Sequence, residues 1–276
     1  MENGMSVPIF QVDAFTSEPF RGNPAGVCLL EKPASAAWMQ AVAAEMNVSE
    51  TAFVHPEGDG FRLRWFTPAV EVKLCGHATL AASHILWQEG KLDPGQPARY
   101  RTLSGPLTAS RSGDFIELDF PSRPLKDEAP DWAEALVGAL GVKPCYIGTS
   151  AEDALVEAVD EETVRTLRPD FAAVRALPVR GVIVTARSDK PGYDFVSRFF
   201  APAVGVDEDP VTGSSHCVLI PYWAARLKKT RLVACQASAR GGELRLELAG
   251  DRVRIAGRAV TVIEGRLTPP AAETGN

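Results

Sequence analysis

The chain has 276 residues, a formal net charge of −6 and 45% hydrophobic residues, the profile of a soluble globular protein long enough for two cores of ordinary size. An acidic balance without clustered Lys and Arg argues against a nucleic-acid footprint or a polybasic membrane surface, and no apolar run approaches the roughly 20 residues that span a bilayer. Met1 to Val7 lacks the charged-then-apolar profile of a signal peptide, and five scattered cysteines without a C-x-x-C pair fit reduced thiols better than a disulfide frame or a zinc site. The expected location is cytoplasmic.

In chain order, Val7 to Phe15 is an apolar strand, and the turn Arg21-Gly22-Asn23-Pro24 leads to a second strand from Ala25 to Leu30. Met39, Val42, Ala43 and Met46 form one apolar helical stripe, with Ser35 as N-cap and Asn47 as the stop. Glu50 stands where that helix gives way to an apolar strand, Thr51 to Val54. That strand draws its first residues toward the core, where a carboxylate is costly unless it has a use; the alternative is a solvated, idle side chain. Phe61 to Phe66 is a half-buried strand, and Ala78 to Trp87 is apolar all round, so as a helix it must be enclosed. Short strands fill Tyr100 to Phe120, and the proline-rich, charged stretch Pro121 to Pro130 is the candidate linker. Beyond it the pattern predicts a helix over 131–140, strands over 145–149 and 154–159, helical turns over 161–173, strands over 181–186 and 193–200, and a helix over 215–225 bent at Pro221. Three strand-like runs close the chain, over 232–238, 244–248 and 252–262. The expected class is α+β, with sheets curled round one buried helix per half rather than a doubly wound parallel sheet.

The chain also repeats itself. Arg64, Phe66, Pro68, Ala69, Val70 and Val72 match Arg198, Phe200, Pro202, Ala203, Val204 and Val206 without a gap, which reads as a duplicated domain. We place the two domains at 1–120 and 121–276, the last strand being able to return to the first. The same ungapped register sets Cys75 against Asp209 and predicts a site between the halves made of unlike residues at like positions.

If both enclosed helices start at their turns, their positive ends and backbone N–H groups suit an anion, with Gly76 and Gly213 permitting close approach and Thr212 and Ser214 either capping or binding. His77 suits a general acid or a ligand donor, or else a satisfied structural histidine. Cys75 is a base, a nucleophile or an inert buried thiol. Asp207, Glu208 and Asp209 are expected to repel one another and raise at least one pKa, unless simply solvated. Metal binding by Cys75, His77 and the acids lacks the usual ligand spacing.

Four motifs in order, Arg21-Gly22-Asn23-Pro24-Ala25-Gly26-Val27, Asn47-Val48-Ser49-Glu50-Thr51-Ala52-Phe53, Leu74-Cys75-Gly76-His77-Ala78-Thr79-Leu80 and Glu208-Asp209-Pro210-Val211-Thr212-Gly213-Ser214, resemble the PhzF-like phenazine-biosynthesis family of the diaminopimelate-epimerase fold group. The resemblance runs from Phe10 to Leu267. It implies two β-barrel-like halves, each wound round a central helix, an active site in the cleft, and a homodimer. It further implies an isomerase that moves a proton on a small carboxylate substrate without metal or organic cofactor. In that picture Glu50 is the acid/base, with His77, Asp209, Ser214 and the Gly76 backbone lining the site; we take Glu50, His77 and Asp209 as the catalytic residues and Gly76, Thr212, Gly213 and Ser214 as substrate-binding. The epimerase relatives use two opposed cysteines, whereas here the register leaves Cys75 without a second thiol, which disfavours a two-thiol racemase. The alternatives are an epimerase using Cys75 and a cleft protein that holds an acidic metabolite without catalysis. The substrate does not follow from the resemblance.

Overall fold

The computed structural model describes residues 6–126 and 129–268. The chain divides into two compact units. The first comprises Met1–Phe20, Pro24–Ile116 and Ala259–Asn276, and the second Arg21–Asn23 and Glu117–Arg258.

In the first unit, β1 (Val7–Ala14) and β2 (Asn23–Leu29) are followed by α1 (Ala36–Met46) and β3 (Glu50–Glu57). The Ser35 side chain accepts from Trp38 N at the start of α1, and Asn47 closes it in the left-handed region with φ 49°, the short polar ends that the sequence supplies. Because α1 crosses over, β2 and β3 run parallel. Gly26 lies opposite Thr51 in that ladder, where an added Cβ would come within 2.7 Å of Thr51 Oγ1. β4 (Gly60–Phe66) pairs antiparallel with β3, and its far end pairs with the short β5 (Glu71–Val72). α2 (Gly76–Gln88) follows, then β6 (Ala98–Thr102) parallel to β4, and β7 (Gly105–Ser112) antiparallel to β6. α2 packs against β1, β3 and β7 and against the final strand β17 (Ala259–Leu267), which pairs antiparallel with β1. Ser83 and Thr79 are satisfied inside: Ser83 Oγ lies 2.7 Å from Thr79 O and 2.6 Å from Tyr100 Oη, and Thr79 Oγ1 donates to Cys75 O. That is what an all-round buried helix requires.

The second unit repeats the plan. β8 (Phe115–Pro121) carries the chain across the boundary, and the proline-rich stretch after it lies partly outside the described residues. α3 (Ala133–Leu140) precedes β9 (Pro144–Thr149) and β10 (Asp153–Ala158). The short helices α4 (Glu161–Thr166) and α5 (Phe171–Arg175) lead to β11 (Gly181–Arg187), parallel to β10 as β3 is to β2. β12 (Phe195–Ala201) pairs antiparallel with β11. After a 3-10 turn come the short β13 (Val206–Asp209), α6 (Gly213–Leu227), β14 (Arg231–Gln236) parallel to β12, β15 (Gly242–Ala249) and β16 (Arg252–Gly257). α6 packs against β14, β15 and β16. Pro221 leaves α6 unbroken; it cannot donate to Cys217 O, and that carbonyl instead accepts from Arg123 N at 2.9 Å.

Two expectations change. The run over 252–262 is two strands: β16 belongs to the second unit and β17 to the first, with Arg258 at the crossing. The ungapped repeat also fails past Val204. The β4–β5 ladder sets Trp65 opposite Val72, and the β12–β13 ladder sets Phe199, the match of Trp65, opposite Asp209. Gly205, with φ 88°, opens a loop that makes the second copy longer, so Gly76 matches Gly213 at a shift of 137 where Arg64 matches Arg198 at 134. Asp209 therefore stands where the first copy has Val72, and the counterpart of Cys75 is Thr212: these two are the N-caps of α2 and α6.

Candidate active site

The first unit brings Glu50, Cys75 and His77 together. Glu50 begins β3, and His77 is the second residue of α2. His77 Nε2 lies 3.2 Å from Glu50 Oε2, with the side chains 6% and 20% exposed. Its other ring nitrogen, Nδ1, lies 3.5 Å from Cys75 Sγ. Burial pulls the His77 pKa down to about 3, so the ring is neutral near pH 7. A neutral imidazole has one donor and one acceptor. Nε2 meets the Glu50 carboxylate as a close contact, and which of Nδ1 and the Cys75 sulfur donates depends on the imidazole tautomer.

The ligand atoms of Glu50, Cys75 and His77 lie within 4.8 Å of one another, close enough to suggest a metal. Glu50 and Cys75, however, address opposite ring nitrogens, so one ion could not meet all three ligands unless the ring turned.

In the second unit the acids expected to repel one another point to different partners. Glu208 forms a double hydrogen bond with Arg198, at 2.7 and 2.8 Å. Asp207 lies 3.6 Å from Arg175, both exposed. Asp209 accepts from Asn23 Nδ2 at 2.8 Å and from the Thr212 hydroxyl. Its pKa is raised to about 6, chiefly by burial; Arg180 and the two hydrogen bonds oppose the rise, and Glu208 adds to it least. Burial rather than mutual repulsion is the cause.

Neither N-cap side chain caps its helix. Thr212 spends its hydroxyl on Asp209, while its backbone N donates to Gln236 Oε1 at 2.8 Å and Gln236 Nε2 donates to Asp209 O at 2.8 Å. Gly213 opens α6 and Ser214 follows it, as Gly76 and His77 open α2. Ser214 Oγ accepts from Arg180 Nη2 at 3.1 Å.

Sequence reasoning missed Asn23, Gln236, Arg180 and Asp153. Asn23 lies in a motif already quoted: Gly22, at φ 62°, donates to Gly241 O at 2.9 Å, and Asn23 Nδ2 reaches both Asp209 and Val211 O. Arg180 could have been found by aligning the copies one strand earlier, since Thr51 faces Phe66 as Val182 faces Phe200, which puts Arg180-Gly181 on Ser49-Glu50.

A strand-wrapped helix built twice over is the plan of the duplicated epimerase-type fold. A family model described as phenazine biosynthesis-like protein, PhzC-PhzF, matches residues 12–265; the chain belongs to that family. It is 54% identical to an uncharacterized isomerase of Pseudomonas aeruginosa, over 95% of this chain and 99% of that one. A crystal structure of a PhzF-family phenazine biosynthesis protein from Enterococcus faecalis is 43% identical, covers 96% of this chain and 100% of that one, and superposes with a TM-score of 0.89. A hydroxyproline epimerase from Agrobacterium vitis, 12% identical over 97% of this chain and 94% of that one, has a TM-score of 0.63 and shares the fold alone.

Proposed function

We propose that this isomerase shifts a proton on a small carboxylate substrate, with Glu50 as the group that removes and returns it. The observation that carries the reading is the Glu50 carboxylate held 3.2 Å from a buried, neutral imidazole while its own side chain remains 20% exposed. A charged histidine would form an ion pair and weaken the base; a neutral one orients the carboxylate and leaves it a base. In the proposed step, Glu50 takes a proton from carbon and becomes a carboxylic acid. The electron pair left behind is delocalised into the substrate's own unsaturated or carbonyl group. Glu50 then returns the proton to a different carbon, so atoms and charge balance and no oxidant is needed.

A single base serving one face favours a shift over an inversion, and among the described residues Cys75 has no thiol at the matching position: Thr212 stands there. We assign His77 and Asp209 to the catalytic groups beside Glu50, and Thr212, Gly213, Ser214 and the Gly76 backbone to substrate contacts, and we include a homodimer, a cytoplasmic setting and no cofactor in the proposal. The proton shift is redox-neutral, and the sequence carries no Walker, Rossmann or zinc spacing.

The test is a screen of small unsaturated and amino carboxylates for C–H exchange in D2O. Glu50→Gln should cut exchange by roughly 10²–10⁴-fold while leaving the unfolding transition in place. Undiminished exchange in that variant would sink the assignment. Binding without any exchange would instead make the protein a carrier of acidic metabolites.

A further inference from the structure

In each unit, the start of the strand after the crossover delivers one charged side chain to the second residue of the enclosed helix. In the first unit this is Glu50 on His77, at 3.2 Å. In the second it is Arg180, just ahead of β11, on Ser214, at 3.1 Å. The strand registers set Gly181 at the place of Glu50, since Ala25 pairs with Glu50 as Asp153 pairs with Gly181, so Arg180 stands one residue earlier, at the place of Ser49. A carboxylate at the second copy's own Glu50 position is sterically excluded, because a Cβ on Gly181 would lie 2.4 Å from Phe199 Cζ and 2.9 Å from Phe200 O.

Arg180 is held unusually firmly for a residue that is still 30% exposed. Its Nε and Nη2 grip both oxygens of Asp153 at 2.9 and 2.6 Å, and Asp153 is 1% exposed. Its guanidinium lies 5.2 Å from the Phe199 ring centroid, the same ring that requires Gly181. A guanidinium has donors only, so Ser214 Oγ must be the acceptor in their bond, and the hydroxyl proton of Ser214 is turned away from Arg180.

We infer that Arg180 is a positioning residue that acts through Ser214, fixing its hydroxyl as an outward, polarised donor for an anionic group of the substrate. The inference rests on the proposed function for its substrate class, but its physical content is the action of Arg180 on the side chain at position 214. That content can be measured without substrate.

In Ser214→Cys, a thiol takes the place of the hydroxyl, and its alkylation by iodoacetamide can be followed against pH by peptide mass mapping. A charge-assisted hydrogen bond from Arg180 should lower its titration midpoint by about one to two pH units relative to Ser214→Cys/Arg180→Met. Ser214→Cys/Arg180→Lys should fall between, since it keeps the charge but loses the fork. The acids that also feel Arg180, namely Asp153, Asp209 and Glu152, are the same in all three proteins. On any carboxylate showing Glu50-dependent exchange, Arg180→Met should raise KM about tenfold with kcat little changed, and should add nothing in a Ser214→Ala background. An unchanged thiol midpoint, or full additivity with Ser214→Ala, overturns the inference while leaving the Glu50 assignment intact. Failure of Glu50-dependent exchange overturns the assignment and leaves the thiol result standing.

Discussion

The duplicated Arg–Glu fork offers a comparison in which the protein supplies its own control. Arg64 grips Glu71 at 2.7 and 2.8 Å and lies 5.2 Å from the Phe66 centroid; Arg198 grips Glu208 at the same two distances and lies 4.8 Å from the Phe200 centroid. The surroundings differ. The first pair is 23% and 25% exposed, whereas Arg198 is 6% exposed and also donates to Val164 O at 3.2 Å and Leu167 O at 2.8 Å. Arg64→Met exposes a carboxylate that water can reach, so the loss should be about 1 kcal/mol. Glu208, 20% exposed, is about as open to water as Glu71, so the extra loss in Arg198→Met comes from the two stranded carbonyls and should bring the cost to about 2–4 kcal/mol. The assay is urea unfolding followed by tryptophan fluorescence, with the midpoint of each transition compared with wild type. Arg198→Met/Glu208→Leu should recover part of the loss, because it also removes the stranded charge. Equal destabilisation by the two single variants, or a greater loss from Arg64→Met, would refute the reasoning.

Burial raises Asp209 to about 6 from an ordinary 3.8, so over that window the folded protein holds a proton that the unfolded chain has released. The resulting stability is complete below the unfolded value and lost as pH rises through about 6; urea unfolding should show wild type losing ground to Asp209→Asn between about pH 4 and pH 7, and a pH-independent difference would contradict this. Cys75, 7% exposed and 3.5 Å from His77 Nδ1, should tolerate Ser, which keeps a donor, with most exchange activity retained, and should tolerate Val less well. Stoichiometric alkylation of Cys75 with loss of activity would show it to be a base.

Much of the local structure was legible because it is decided by near neighbours. Ser35 and Asn47 bound α1 as their side chains dictate, and the absence of a polar face on 78–87 announced an enclosed helix. The place of Glu50 at a strand start beside buried Thr51 was equally plain. Pro221 stands inside an unbroken α6, and the carbonyl it releases is taken by Arg123, a partner distant in sequence that no local pattern announces.

The sequence by itself determined that the chain is a duplication, that each copy holds an enclosed helix after a polar turn, and which polar residues stand in those turns; the helices begin two residues earlier than the apolar runs over 78–87 and 215–225. Only the tertiary structure decided how the copies correspond. The match of Val72 with Val206 was misleading, since Val206 is 37% exposed and carries no packing constraint, and a loop can absorb extra residues at small cost in free energy. Cross-strand pairing is the firmer guide, because slipping by one turns every side chain to the other face, and the irregularity in the β12–β13 ladder lies between Phe199 and Ala201, past the Phe199–Asp209 pair. Pairing therefore sets Thr212, not Asp209, at the place of Cys75, and Arg180-Gly181 at the place of Ser49-Glu50. The contacts that follow, Asn23 with Asp209 and Arg180 with Asp153 and Ser214, join residues far apart in the chain, and their geometry exists only once the strands have paired.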